Sequence, residues 1–343
     1  MSTYTFNSQN LSVKTVSPSL LSFVVKNLIA IVRKHRGVWS KFRQLKECKR
    51  VQLGSKMSSE PIVRYEDGTE GVCKYQLVGT PFGVGAYGLV YKATLKNSSS
   101  EKFFAIKIFK DYTSDSKENR ESIDKEIKLL KELQHPNIVH HIDYFLHPND
   151  DDPGSLERWL VMPYCSERSL KMYVTKVDSF SEAQVHQLLT QVQNGLKEMY
   201  AKHIIHRDLS FNNILVHDNN GQITYLIGDL GLSRKDCNAS MLTVDIGTKA
   251  FRAPELFDPQ KRKKRYDPNI DVYALGINVL YAINKSLPWE GHLMPKTDDE
   301  MKKKVEQLIP DKHRSVKPIL LSMIRYEDQR IKMENFFEHP YLK

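Results

Sequence analysis

Gly83-Val84-Gly85-Ala86-Tyr87-Gly88 has strand-like sequence on both sides, and this constrains the fold more than any other stretch. Tyr75–Thr94, which contains it, is rich in β-branched and aromatic residues. Lys102–Phe109 repeats that texture after a polar Asn-Ser-Ser-Ser turn. Successive runs of this kind read as antiparallel strands, with the glycines in a loop between two of them. Without side chains there, backbone N–H groups can approach an anion closely. The G-x-G-x-x-G pattern also marks dinucleotide-binding folds, but there it leads into a helix. Here Leu89–Thr94 continues as strand, which sets that reading aside.

Further along the texture changes. Ile123, Ile127, Leu130 and Leu133 fall at helical spacing, and His135-Pro136-Asn137 stops that helix. After a strand at Leu160–Tyr164 the chain reads as mainly helical, over Glu182–Lys202, Ile270–Asn284, Asp298–Leu308 and Val316–Tyr326. Strands first and helices later predict an α+β fold of two lobes, a β-rich N-lobe and a mainly helical C-lobe. At 343 residues and 40% hydrophobic content the chain can fill such a domain and carry an extension.

Charge marks the extension. Residues 1–56 hold 11 Lys and Arg against one acid, Glu47, while residues 57–343 hold 40 of each sign. The basic character therefore belongs to the N-terminal segment, and no specific nucleic-acid partner is expected for the body. Residues 1–19 are rich in Ser, Thr and Asn without any acid, and residues 20–32 form a short apolar stretch broken by Lys26. Three readings stay open: a segment that lies on a membrane surface or meets an import machinery, a helix packed on the body, or a disordered tail. We place the extension at residues 1–73. The four cysteines, Cys48, Cys73, Cys165 and Cys237, form no CxxC pair. Their spacing suits reduced thiols, hence a cytoplasmic or nuclear location.

The polar residues with chemistry lie on both sides of the change in texture. Residues 206–213 read His-Arg-Asp-Leu-Ser-Phe-Asn-Asn, and Asp229-Leu230-Gly231 follows a short β-like stretch. Asp208 can hold a hydroxyl, while Asn213 and Asp229 offer oxygen donors to a hard cation. Lys107 lies on the strand Phe104-Ala105-Ile106-Lys107, whose inward-pointing neighbours aim it at a cleft, and Glu126 lies on the following helix.

In order and spacing these motifs resemble the eukaryotic protein-kinase family, serine/threonine type, over about residues 74–341. Gly247–Glu255 is similar to that family's substrate-docking loop, Arg330 to the arginine that pairs with Glu255, and Asp271 to the carboxylate that braces the catalytic loop. The resemblance implies a kinase domain over residues 74–343 that moves the γ-phosphoryl of ATP, with Mg²⁺, to protein Ser or Thr hydroxyls. It implies catalytic roles for Asp208, Lys107 and Asn213, a pairing of Lys107 with Glu126 as its obvious partner, and metal-holding roles for Asn213 and Asp229. It implies nucleotide contacts from Gly83, Gly85, Gly88, Val90, Ala105, Lys107, Glu126, Met162, Pro163, Cys165 and Leu215. His206 reads as structural, since buried histidines more often satisfy a core than do chemistry, and by the same likeness Arg207 offers a fork to a phosphate on the activation loop, with Thr243 first and Ser240 second as its carrier.

Two departures stand out. Ser210 occupies the place where serine/threonine kinases usually carry a lysine near the γ-phosphate, and Asn212 supplies no compensating charge. A missing cation of that kind is worth about 2–4 kcal/mol of transition-state stabilisation. Two other functions follow from weaker forms of the pattern: a pseudokinase scaffold that binds ATP or partners with little turnover, and a small-molecule kinase. The docking loop and Arg330 argue against the second, since a small substrate needs neither. Lys261–Arg265 is a basic run that reads as an import signal, a patch for acidic substrates, or a solvated loop.

Overall fold

Strand β5 (Phe103–Phe109) shows how alternation builds the small lobe. Phe104, Ile106 and Ile108 point to one face and join Tyr75, Ala93, Phe145, Trp159 and Val161 in an apolar cluster. Ala105, Lys107 and Phe109 take the other face, and Phe109 enters the larger core shared with the helices. The computed structural model describes residues 60–84, 88–109, 117–149, 152, 154–235, 248–258, 267–289 and 293–343. Residues 1–59 of the expected N-terminal extension, Lys261–Arg265, Thr243 and Ser240 lie outside the described residues.

Seven antiparallel strands form the sheet, in the order β2-β1-β6-β7-β5-β4-β3. They are β1 (Ile62–Tyr65), β2 (Glu70–Val72), β3 (Tyr75–Val84), β4 (Gly88–Leu95), β5, β6 (Asp143–Pro148) and β7 (Leu156–Pro163). The glycine-rich stretch joins β3 to β4 as the sequence predicts. The sheet begins earlier than the boundary expected at residue 74. The β1–β2 hairpin pairs with β6, Val63 is fully enclosed, and Tyr65 meets Phe145 edge-on at 5.8 Å. Strands this short carry too little alternation to be seen in the sequence. Helix α1 (Lys117–Glu132) follows β5, and its Lys131 pairs with Glu66 of the hairpin.

The large lobe is built on helices α2 (Leu170–Lys176), α3 (Glu182–Ala201), α4 (Asn269–Asn284), α5 (Asp298–Leu308), α6 (Lys317–Met323) and α7 (Met333–Phe337). Helix α3 starts with a capping box, in which Ser181 and Gln184 satisfy each other's backbone N–H. Helix α4 is apolar on nearly every side and is buried from Asn269 to Ile283. At Gly276 a Cβ would come within 2.6 Å of Ile324, so the helix packs there more closely than a side chain permits. Arg330 grips both oxygens of Glu255, at 2.6 and 2.8 Å, in a buried bidentate pair.

Small β elements lie between the sheet and the helices. Strand β8 (Arg168–Ser169) pairs with β10 (Ile214–Asn219), which forms a hairpin with β11 (Gln222–Ile227). Strand β9 (Ile204–Ile205) pairs with β12 (Arg234–Lys235). These short pairings fix the loops that hold Asp208, Asn213 and Asp229.

Candidate active site

The loop between β9 and β10 is shaped mainly by backbone hydrogen bonds to side chains. Asp271 of α4 accepts the N–H groups of His206 and Arg207 at 2.7 and 3.0 Å. Burial pushes the Asp271 carboxyl up, against the pull of His206 and these two donors. His206 is wholly enclosed. Its Nε2 donates to the Gly228 carbonyl at 3.0 Å, which leaves Nδ1 to accept the Asp208 N–H at 3.2 Å. Arg207 turns through φ 68°, and its Nε donates to the Leu232 carbonyl at 2.7 Å.

Both carboxylate oxygens of Asp208 are held. The Asn213 amide donates to Oδ2 at 3.0 Å and to the Asp208 carbonyl at 2.8 Å. The Thr248 N–H, in the docking loop, donates to Oδ1 at 2.6 Å. Sequence reasoning missed this last contact, because no side-chain pattern marks a backbone donor. It ties the docking loop to the residue that would receive a hydroxyl.

The small lobe supplies the charges opposite. Lys107 Nζ lies 2.6 Å from Glu126 and 3.6 Å from Asp229 Oδ1. Lys107 is 7% exposed and Glu126 3%. Burial works against the ammonium, but Glu126 and then Asp229 outweigh it, so Lys107 stays protonated with its pKa above the ordinary value. Burial pushes the Glu126 carboxyl up, and Lys107 offsets that only in part. The Lys107 ammonium holds Asp229 below the usual carboxylate range. Helix α1 also lies against the Leu230–Leu232 turn, so it touches the segment that follows Asp229.

The expected pocket residues come together around these ions. Val90 pairs with Lys107, and Ala105 with Met162, so these four share one face of neighbouring strands. Met162 and Leu215 pack around Val139, Cys165 and Leu226 where the lobes join. Pro163 pairs with Phe104 at the end of β7. Burial pushes the Cys165 thiol up to about 12, which makes it a wall rather than a nucleophile. A Cβ on Gly88 would come within 2.1 Å of the Ile108 carbonyl, so that glycine is required by the adjoining strand. A Cβ on Gly83 would meet the Val90 side chain at 3.1 Å, and Gly85 lies outside the described residues.

Asn213 and Asp229 offer only oxygen donors to a metal. Among the described residues no group of three His, Cys, Asp or Glu side chains could hold an ion alone. A cation that takes few protein oxygens and shares phosphate oxygens, as Mg²⁺ does, suits this donor set. The Asn213 nitrogen is committed to Asp208, which turns its oxygen toward other partners. Ser210 is 1% exposed, and its hydroxyl is buried without a hydrogen-bond partner. The residue in the lysine's place is thus enclosed in the loop.

Sequence reasoning also missed a cluster of cations. Lys125, next to Glu126 on α1, has its pKa lowered to about 8 by burial and by Arg234 and Arg207 nearby. Lys125 lies one turn before the buried Leu129, and its cationic neighbours come from distant parts of the chain, so nothing local in the sequence marks the cluster.

The family model for the protein kinase domain matches residues 77–342, and this chain belongs to the eukaryotic protein kinase family. It is similar to calcium-dependent protein kinase 5 of Plasmodium falciparum, 28% identical over 278 residues, 78% of this chain and 45% of that protein. It is likewise similar to calcium-dependent protein kinase 5 of Plasmodium berghei, 31% identical over 255 residues, 74% of this chain and 41% of that protein. Serine/threonine-protein kinase ATG1b of Arabidopsis thaliana is 28% identical over 232 residues, 66% of this chain and 31% of that protein. The chain thus spans less than half the length of these curated relatives.

Proposed function

We propose that this chain transfers the γ-phosphoryl group of ATP to serine or threonine hydroxyls of protein substrates. The observation that carries the reading is the ion set of Lys107, Glu126 and Asp229, drawn from both lobes beside the Asp208–Asn213 pair. Lys107, fixed by Glu126, binds phosphate oxygens of the nucleotide. Asp208 orients the acceptor hydroxyl and takes its proton, with Thr248 and Asn213 setting the plane of its carboxylate. Asn213 and Asp229 would hold Mg²⁺, which when bound would neutralise charge on the transferring group. The serine/threonine kinases among its relatives support the acceptor class.

A phosphoryl-transfer assay with ATP and generic protein acceptors, run beside Lys107→Met, tests this. We expect transfer by the wild type and about a hundred- to a thousandfold less by the variant; equal transfer by both would sink the assignment. The pseudokinase reading rests on Ser210 and is not favoured by a site that is otherwise complete. The basic charge of residues 1–56 supports contact with a membrane surface or an import machinery. Dye-labelled 1–56 fused to a carrier should then bind anionic vesicles or redirect the carrier in cells. The wide cysteine spacing supports a cytoplasmic or nuclear location.

A further inference from the structure

Arg168 sits in the left-handed region, with φ 62°. A non-glycine side chain is strained there, because its Cβ crowds the backbone. Arg207 and Asp229 share the property and belong to the site already described. Such strain persists where surrounding structure holds it, and it gathers at functional sites. The Arg168 backbone is held firmly. Its N–H donates to the Cys165 carbonyl at 3.0 Å, and it pairs with Val216 on the strand that carries Leu215.

The side chain crosses from one lobe to the other. Its guanidinium carbon lies 5.1 Å from the centre of the Phe82 ring, within reach of a cation–π contact. Phe82 directly precedes Gly83, and it meets Tyr164 edge-on at 5.7 Å. The register of β3 on β4 shifts between Val78 and Gly83. The pairs Gly83–Val90 and Val84–Leu89 at the tip are therefore set apart from the rest of the hairpin. Phe82 stands at that joint, and Arg168 is the large-lobe cation that rests on it.

We propose that Arg168 is a positioning residue for the nucleotide: its contact with Phe82 holds the glycine-rich tip in place beside the cleft. The inference rests on the reading of that cleft as the ATP site. A glycine at 168 would suit the backbone better, so the arginine is kept for its side chain. This predicts that relieving the strain weakens binding.

Mg-ATP binding to the full chain, steady-state kinetics and thermal melts on Arg168→Gly, Phe82→Leu, the double variant and Arg168→Lys test this. Arg168→Gly should melt at or above the wild-type temperature, yet bind Mg-ATP about two- to fivefold more weakly, as expected for one exposed cation–π contact. KM for ATP should rise by the same factor, with kcat within about twofold. Phe82→Leu should lose as much affinity, and the double variant no more than either single one, because both remove one contact. Arg168→Lys keeps a cation and should retain part of the affinity. Unchanged binding by Arg168→Gly overturns the proposal, as do single losses that multiply in the double variant. A lowered melting temperature overturns the strain argument. A wild type that fails to bind Mg-ATP overturns the ATP-site reading instead.

Discussion

The two lobes hold their shares of the site by different means. On the small-lobe side the key contact is between full charges, Lys107 and Glu126, one on the sheet and one on a helix. On the large-lobe side the catalytic loop is held by backbone donors on Asp271 and by the two nitrogens of His206. The first arrangement depends on where α1 sits and, on the proposed function, serves the ligand. The second is part of the core of the lobe, because Asp271 belongs to a helix that is buried almost throughout. The difference separates residues whose loss removes function from those whose loss removes structure as well.

Asp271→Ala should strike hardest, since it leaves two buried N–H groups without an acceptor. Each such group costs about 1–3 kcal/mol, so both transfer and thermal stability should fall together. A variant that melts like the wild type would break the distinction. Lys107→Met should reduce kcat by about a hundred- to a thousandfold while the melting temperature moves only a few degrees. Its Glu126 partner can be neutralised by uptake of a proton, because burial already raises that pKa. A collapse in stability would show that the ion pair is structural.

A smaller effect is expected from the cation cluster. The Lys125 pKa of about 8 lies below the ordinary 10.5, so its charged form is disfavoured in the fold. Between those values the unfolded chain binds more protons than the folded one, and the contribution of Lys125 to stability rises with pH. In unphosphorylated protein Lys125→Met should therefore raise the melting temperature at pH 7, with the gain shrinking toward pH 10. A gain independent of pH would point to packing instead of charge. Ser210→Ala should have the least effect. Its hydroxyl is buried without a partner, so its removal should leave kcat unchanged and stability equal or up to about 1 kcal/mol higher. A fall in kcat would mean that the hydroxyl acts in the reaction.

Much of the fold and site was legible because both are written in local patterns. The alternation of β5, the apolar surface of α4 and the glycine stretch between strands each follow from neighbours in sequence. The Lys107–Glu126 pair and the Arg330–Glu255 pair were also expected, and both form. Other features were not legible, since they depend on which backbones approach in three dimensions. The Thr248 N–H on Asp208 has no side-chain signature. Gly88 is needed because the Ile108 carbonyl passes within 2.1 Å of its missing Cβ, a constraint set by strand spacing. The enclosure of Ser210 depends on the whole lobe, so its sequence position suggested a charge deficit and said nothing of burial.

The reach of Asp271 also bears on how the protein is made. Its carboxylate lies 65 residues beyond the N–H of His206 that it receives. During synthesis His206 therefore precedes its brace by about 3–13 s, at roughly 5–20 residues per second. Until α4 has emerged and docked, those N–H groups have no acceptor there and the loop has no reason to adopt its turn. A nascent or truncated chain ending before that helix should be inert, however intact its glycine stretch, Lys107 and Asp208.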